Sequence, residues 1–436
     1  IFAKKNPSDT LEKKKKSSQA TTVLKSSRDA KKVRLSTAFL QRLSPVSLLS
    51  EDALKQLEVF VEDFQPGQVI YQETEALSSL AYVVKGEVYC ESVSGCHYAV
   101  VANTFKALYP LSSTPLNVFT AIAKTAVKII YLPKTVLLES SHRQERLDID
   151  NNPLVTEQLQ KIPLGQTLLK HLQQQVLDVP SLPDVAIRLR MAVQKEIGIA
   201  EAVKIVNLDQ RIAVKLVQVV NSPLYRGVKP FVSCEAAVNR LGLNTTRNLV
   251  TSFSMKALFT SKNKALIKRT QQAWQQSIRV SSLCHTLALL THKVDPDEAL
   301  LAGLTHNIGL LPIIRLADQQ DNLAPDDLEQ CLKVAQAYIG QSVLTQWGFG
   351  ESLAKIPYLI DNWFYESGED FALVDVVILA KYHSLLGTEY MPFLPALHDL
   401  PAFQKLGDQG LTPDMSLQIL HDAKQQLADA MSFFEA

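Results

Sequence analysis

The feature that most constrains this chain is a change of hydrophobic texture near Leu147. Before it, short runs of β-branched and aromatic residues alternate with turn residues. After it, apolar residues recur at helical spacing almost to the end. A chain with that break cannot close as one sheet or one bundle. Its 436 residues, 46% of them hydrophobic, are enough for two to four cores at about 100 to 200 residues each. An apolar share of that size also argues against disorder dominating the chain.

The string "DFQPGQVIYQETEALSSLAYVVKGEVYC" predicts strands of about five residues, punctuated by Pro66-Gly67 and Gly86. Further runs at Tyr98 to Ala102 and Ala126 to Leu132 complete a small antiparallel set, preceded by helical spacing from Leu35 to about Leu57. In the second part, breaks fall at Pro180, Pro183, Asn221-Ser222-Pro223, Gly242, Gly348-Gly350 and Gly387. In "VSCEAAVNRLGLNTTRNLV", Ser233 can cap a helix ending at Gly242, and Asn244 can cap the next. The predicted fold class is α+β multidomain, a small antiparallel β-sandwich or jelly-roll followed by a larger all-α domain. The expected divisions are a disordered arm over 1–34, a β domain over 35–147, a helical domain over 148–395 and a C-terminal helical extension over 396–436, where Thr412-Pro413 can start the last helix.

Charge sharpens the division. The first 34 residues carry eleven Lys and Arg against three Asp and Glu, a charge of +8, which leaves −7 for the rest of a chain whose total is +1. The arm is Lys-, Ser- and Thr-rich with few large apolar residues, so it cannot offset the entropy of ordering. Its expected role is a solvated linker, with unspecific contact to an anionic surface as the alternative. The acidic body removes the simplest support for nucleic-acid binding. A helix-turn-helix reading of Arg240 and Arg247 as phosphate contacts therefore lacks a basic face.

No run reaches the roughly 18 to 20 apolar residues of a membrane span, and the basic start lacks the apolar region of a secretory signal. Five scattered cysteines, Cys90, Cys96, Cys234, Cys284 and Cys331, form no Cys-x-x-Cys pair and suit a reducing compartment. The expected location is the cytoplasm.

The order of the β runs, with Pro66-Gly67 and then Lys85-Gly86-Glu87, resembles the cyclic-nucleotide-binding-domain superfamily over residues 45 to 140. That resemblance implies a phosphate-binding segment with Gly, Glu and Arg, because a phosphodiester needs an Arg fork or several backbone N–H donors. The corresponding "FKALYPLSSTPLNVFTAIA" has no Gly, no acid and no Arg. Asn117 falls near the expected arginine, and Lys106 is the lone cation. A degenerate sensor or packing domain is expected.

From Val179 onward the chain resembles the HD-related output domain (HDOD) family over about residues 165 to 390. The matching residues are Leu182-Pro183, Asp209, Asn221-Ser222-Pro223, Tyr225, Ala236-Ala237 and Leu241-Gly242. The strings "WQQSIRVSSLCHTLALL", "EALLAGLTHNIGLLPI", "IGQSVLTQWGF" and "VVILAKYHSLLG" follow in the family's order. The resemblance implies an HD-like helical fold. The parent HD phosphohydrolases hold divalent metals through His, a His-Asp pair, further His residues and a final Asp, leaving a position for an activated water.

Carried across residue by residue, the first His falls at Gln276, the His-Asp pair at His306 and Asn307, the next His at Gln336, a His pair near Ile360 and Asp361, and the final Asp at Lys381. His306 and Asp361 are the positions that keep metal-capable chemistry. An ammonium at Lys381 would repel a cation. The plainer expectation is that Lys381 points to solvent. The sharper one is a polar network of Lys381, His306, Asn307 and Gln276 in the vacated site.

Cys284 and His285 point about 100° apart on a helix and make no nucleophile pair. His292 and His383 are expected at the surface. No catalytic residues, no cofactor and no metal are expected. The implied function is a non-catalytic, bacterial-type signalling or regulatory protein with an unidentified protein partner. The alternatives are a metal-dependent phosphohydrolase acting on a nucleotide or cyclic dinucleotide, and a receptor for a small anion at Lys381 and His306.

Overall fold

The computed structural model describes residues 30–93, 95–137, 153–223, 225, 229–320, 323–407, 417, 420 and 424–435. These residues fall into two compact units. The first runs to Val136 apart from Pro45–Leu49 and Ser94–Cys96, and the second takes those two stretches and the chain from Leu137 onward.

The first unit consists of two antiparallel four-stranded sheets. One has the order β1 (Lys31–Val33), β2 (Val59–Phe64), β8 (Val127–Pro133), β4 (Ser79–Lys85). The other has β3 (Val69–Tyr71), β7 (Thr120–Ala123), β5 (Glu87–Glu91), β6 (His97–Val101). Side chains from both sheets fill the core, where Leu80, Tyr82, Val88, Cys90, Ala121, Ile129 and Leu132 are buried. Tyr82 carries a polar tip inside, and its hydroxyl donates to the Ser44 carbonyl at 3.1 Å. At the turn from β4 to β5, Gly86 has φ +85°, and a Cβ there would sit 2.4 Å from the Ala126 carbonyl oxygen. The Lys85-Gly86-Glu87 motif is thus a backbone requirement of the turn.

One expectation fails here. Lys31–Val33, assigned to the arm, pair with β2 in the register Lys31↔Val61, Lys32↔Phe60, Val33↔Val59. An edge strand is held by backbone hydrogen bonds and needs no apolar run of its own, and Lys32 adds an exposed ion pair with Glu58. Residues 1–29 lie outside the described residues, as does Thr412-Pro413.

The second unit is helical, and its caps follow the sequence. Asp209 accepts from the backbone of Arg211 and Ile212 ahead of the Gln210–Val220 helix, Ser233 accepts from Ala236 N, and Asp295 accepts from Glu298 N with Pro296 in the first turn. Asn221 of the Asn-Ser-Pro motif staples a loop, donating from Nδ2 to the carbonyls of Val217 and Phe231 and accepting from Phe231 N, each at 2.8 Å.

At the centre, the Lys264–Thr291 helix packs against the Pro296–Thr305 helix and the Leu373–Leu385 helix. The first contact is close: a Cβ on Gly303 would lie 2.6 Å from Ser281 Cα and 2.8 Å from Cys284 Sγ. Pro296–Ala317 is long and apolar enough to cross a membrane by composition, and 94% of its most apolar window is buried within the unit. Phe434 of the Lys424–Glu435 helix stacks edge-on against Trp274, ring centroids 6.0 Å apart, and so joins the same core.

Candidate functional site

His306 ends the Pro296–Thr305 helix, at a turn that leads into Leu310–Ala317. It is 4% exposed, and its Nδ1–H donates to the Gly303 carbonyl at 2.6 Å, which leaves Nε2 as the lone-pair nitrogen. Its pKa is pushed down to about 4, first by burial and then by the Lys381 ammonium, against smaller opposing pulls from the Gly303 carbonyl and Asp361. His306 is therefore a neutral imidazole at physiological pH.

Asn307 turns to the Lys264–Thr291 helix. Its Oδ1 accepts from the Ser277 hydroxyl at 2.8 Å and its Nδ2 donates to the Ala273 carbonyl at 3.0 Å. Both ends of the amide are used in joining two helices. The sequence placed Ser277 beside Gln276 but gave it no role.

Lys381 pairs with Asp361. The lysine side chain is 13% exposed, so it does not point to solvent. The correction has a simple cause: the Leu373–Leu385 helix is buried on almost all sides, leaving the lysine little water to reach. Most of the Asp361 side chain is accessible. The protein atoms packed around it oppose ionisation, but the Lys381 ammonium outweighs them and holds its carboxyl below the usual range.

His306, Asp361 and Lys381 thus form one coupled group, with Asn307 alongside but tied elsewhere. Gln276 and Gln336 are half-buried, and no hydrogen bond links either to that group. Among the described residues, no three His, Cys, Asp or Glu side chains gather as metal ligands. The donor chemistry does not fit a divalent ion either. The carboxylate is already neutralised by an internal cation, and the amide of Asn307 is spent on the core.

A second polar cluster lies in the same unit. The Tyr225 hydroxyl contacts His285 Nε2 at 3.2 Å and donates to Asp297 Oδ1, while the Thr245 hydroxyl donates to Asp297 Oδ2 at 2.7 Å. Burial pushes the His285 pKa down to about 4 and raises that of Asp297, against the Tyr225 and Thr245 hydrogen bonds. The sequence offered Tyr225 as a motif residue and His285 only as a neighbour of Cys284, and gave Asp297 no part. Asp297 sits beside Asp295 and Glu298, where it reads as ordinary helix-start charge.

His383 is also a correction. It is buried, with Nδ1–H donating to the Leu379 carbonyl at 2.7 Å and Nε2 accepting from Leu417 N at 3.0 Å. His292 is exposed, Cys284 is buried, and all five cysteines are free. Arg240 donates to the Tyr225 carbonyl and Arg247 to Asn248 Oδ1, each at 3.2 Å.

Comparison with known proteins agrees with this fold. Residues 179–358 match the HDOD domain model. A solved protein from Shewanella amazonensis SB2B, which carries the name of a metal-dependent phosphohydrolase, is 26% identical with a TM-score of 0.54, covering 64% of this chain and 99% of that one. A Geobacter metallireducens GS-15 structure named for cyclic-nucleotide binding is 20% identical with a TM-score of 0.21, over 26% of this chain and 85% of its own. An uncharacterized protein of Treponema pallidum (strain Nichols) is 24% identical over 221 residues, 47% of this chain and 42% of its own length, so the chain spans less than half of that relative. Through residues 179–358, the chain is similar to the HDOD domain family.

Proposed function

We propose that this chain is a bacterial-type regulatory protein of the cytoplasm whose HDOD unit acts by binding another protein and not by catalysis. The observation that carries the reading is the Lys381–Asp361 pair beside a neutral His306. In an HD phosphohydrolase the corresponding place holds a metal that activates water. Here a protein ammonium supplies the positive charge, and an ammonium has no open coordination position. The small-anion reading loses its support for the same reason, since the charge of Lys381 is already met by Asp361.

The name borne by the Shewanella amazonensis protein keeps the hydrolase reading in play, and one experiment separates the two. The purified chain is incubated with manganese, iron or zinc, desalted and assayed for bound metal and for hydrolysis of nucleotides and cyclic dinucleotides. The regulatory reading predicts less than about 0.1 metal per chain and no turnover above the metal-only control. Stoichiometric metal with turnover that disappears in His306→Ala would replace it with the hydrolase reading.

A further inference from the structure

The Asp184–Gln194 helix of the second unit has two apolar faces. Val185, Ala186 and Leu189 are buried in the core, whereas Ile187 and Met191 stay 37% and 54% exposed. Ile187, Arg190, Met191 and Gln194 recur at i, i+3, i+4 and i+7, one stripe of a helix. That stripe lines a cleft of about 380 Å³, within the range of small-molecule sites. The rest of the lining comes from residues 179–182 and from the turn that ends the Pro325–Gln346 helix. Gly348, with φ +73°, makes that turn, its N–H and that of Phe349 returning to the carbonyls of Thr345 and Leu344 at 2.9 and 3.0 Å. Trp347 Nε1–H donates to the Pro180 carbonyl at 3.0 Å and ties the two segments together. No residue of the His306 group lines this cleft.

Among the described lining residues, Arg190 is the one charged side chain. Its guanidinium carbon lies 3.7 Å from the centre of the Phe349 ring, which fixes the plane of the fork, and its Nη2 donates to the Gly348 carbonyl at 2.8 Å. That carbonyl takes one of the two Nη2 N–H groups, so one bidentate edge of the fork stays complete. Among the described residues no carboxylate and no second acceptor meets it, and its other nitrogens reach solvent. The acids that adjoin the lining in sequence are taken, Asp184 by Arg188 at 2.6 Å and Asp178 by Arg315 at 3.0 Å. Burial, and then the charge of Arg247, push the Arg190 pKa down to about 10. Arg247 in turn acts on the Glu298 carboxylate, so Arg190 is the cation left without a counter-charge.

We propose that the cleft binds a small organic monocarboxylate with an aliphatic body, its carboxylate on the open edge of the Arg190 fork and its body along Leu182, Ile187, Met191 and Trp347. One cation answers one negative charge, and a second negative charge would find no partner among the described lining residues. The apolar wall selects against an anion with no body to bury.

The test is calorimetric titration of the full chain with octanoate, butyrate, octanol and octyl phosphate, repeated with octanoate and octanol on Arg190→Gln and Met191→Glu. Octanoate is expected to bind most tightly, gaining about threefold over butyrate for each further methylene buried. Arg190→Gln is expected to weaken octanoate by about tenfold and leave octanol unchanged. Met191→Glu sets a carboxylate beside the fork, should also weaken octanoate by about tenfold, and lies at an exposed helix position, so it keeps the test meaningful if Arg190→Gln fails to fold. No saturable octanoate binding, octanol or octyl phosphate binding more tightly than octanoate, or octanoate affinity unchanged in Met191→Glu would each overturn the proposal.

Discussion

A cavity of the first unit and the His306 site of the second are two answers to charge held inside a protein. In the second, Asp361 is met by Lys381, His306 stays neutral, and both ends of Asn307 are bonded. In the first, Glu62 and Glu75 line a space with no cation among the described residues of its wall, and Asn117 Oδ1 is unpartnered. A site whose demands are met from within needs no guest.

The largest expected difference between the two units is in acid. His285 and His306 have folded pKa values near 4, and His398 near 3, all held down chiefly by burial. The unfolded chain, with ordinary values near 6.5, takes up these protons first, so stability falls as pH drops from about 6.5 toward 4. Among the described residues the first unit has no buried histidine. Thermal melts at pH 7 and pH 5 should show the helical unit losing about 5 °C or more, and an unchanged helical transition would break the contrast.

Packing gives the next effect. Gly303→Ala forces a methyl group against the Ser281 backbone and should cost about 3 kcal/mol in denaturant unfolding. It should also loosen the turn that sets His306. A loss below about 0.5 kcal/mol would mean that the close approach is not what fixes the site.

Neutralising one carboxylate in each unit sharpens the comparison further. Asp361→Asn leaves Lys381 with its charge and no counter-charge, at an expected cost of about 2 kcal/mol. Glu62→Gln keeps a hydrogen-bonding group beside the Tyr131 hydroxyl, and its stability should stay within about 1 kcal/mol of the parent. Equal losses in the two variants, measured by chemical denaturation, would erase the distinction.

The pattern of what could be read in advance follows from what is local. Strands and the Ser233 cap are written in neighbouring residues, and Ser233 caps the helix it precedes. β1 escaped notice because Lys31 and Lys32 contribute backbone, not apolar surface. The Tyr225–His285–Asp297 cluster joins residues 60 and 72 positions apart, which no periodicity reports.

For the vestigial site, family resemblance located Lys381 and Asp361 but not their pairing. The helix around Lys381 is apolar on almost every face, and that pattern was a signal that this lysine would lie largely buried against a counter-charge. His383 is the same case, satisfied by Leu417 from 34 residues away.

The account rests on Lys381 occupying, as a cation, the place beside His306. The direct test is the histidine side-chain 1H–15N spectrum, titrated from pH 7.5 to 4 with and without manganese, in the parent and in Lys381→Met. The account predicts an Nδ1–H His306 that stays neutral to near pH 4, shows no specific broadening by manganese, and titrates at higher pH once the ammonium is removed. A His306 signal that titrates near 6.5, or that stoichiometric manganese broadens away in the parent, would contradict it.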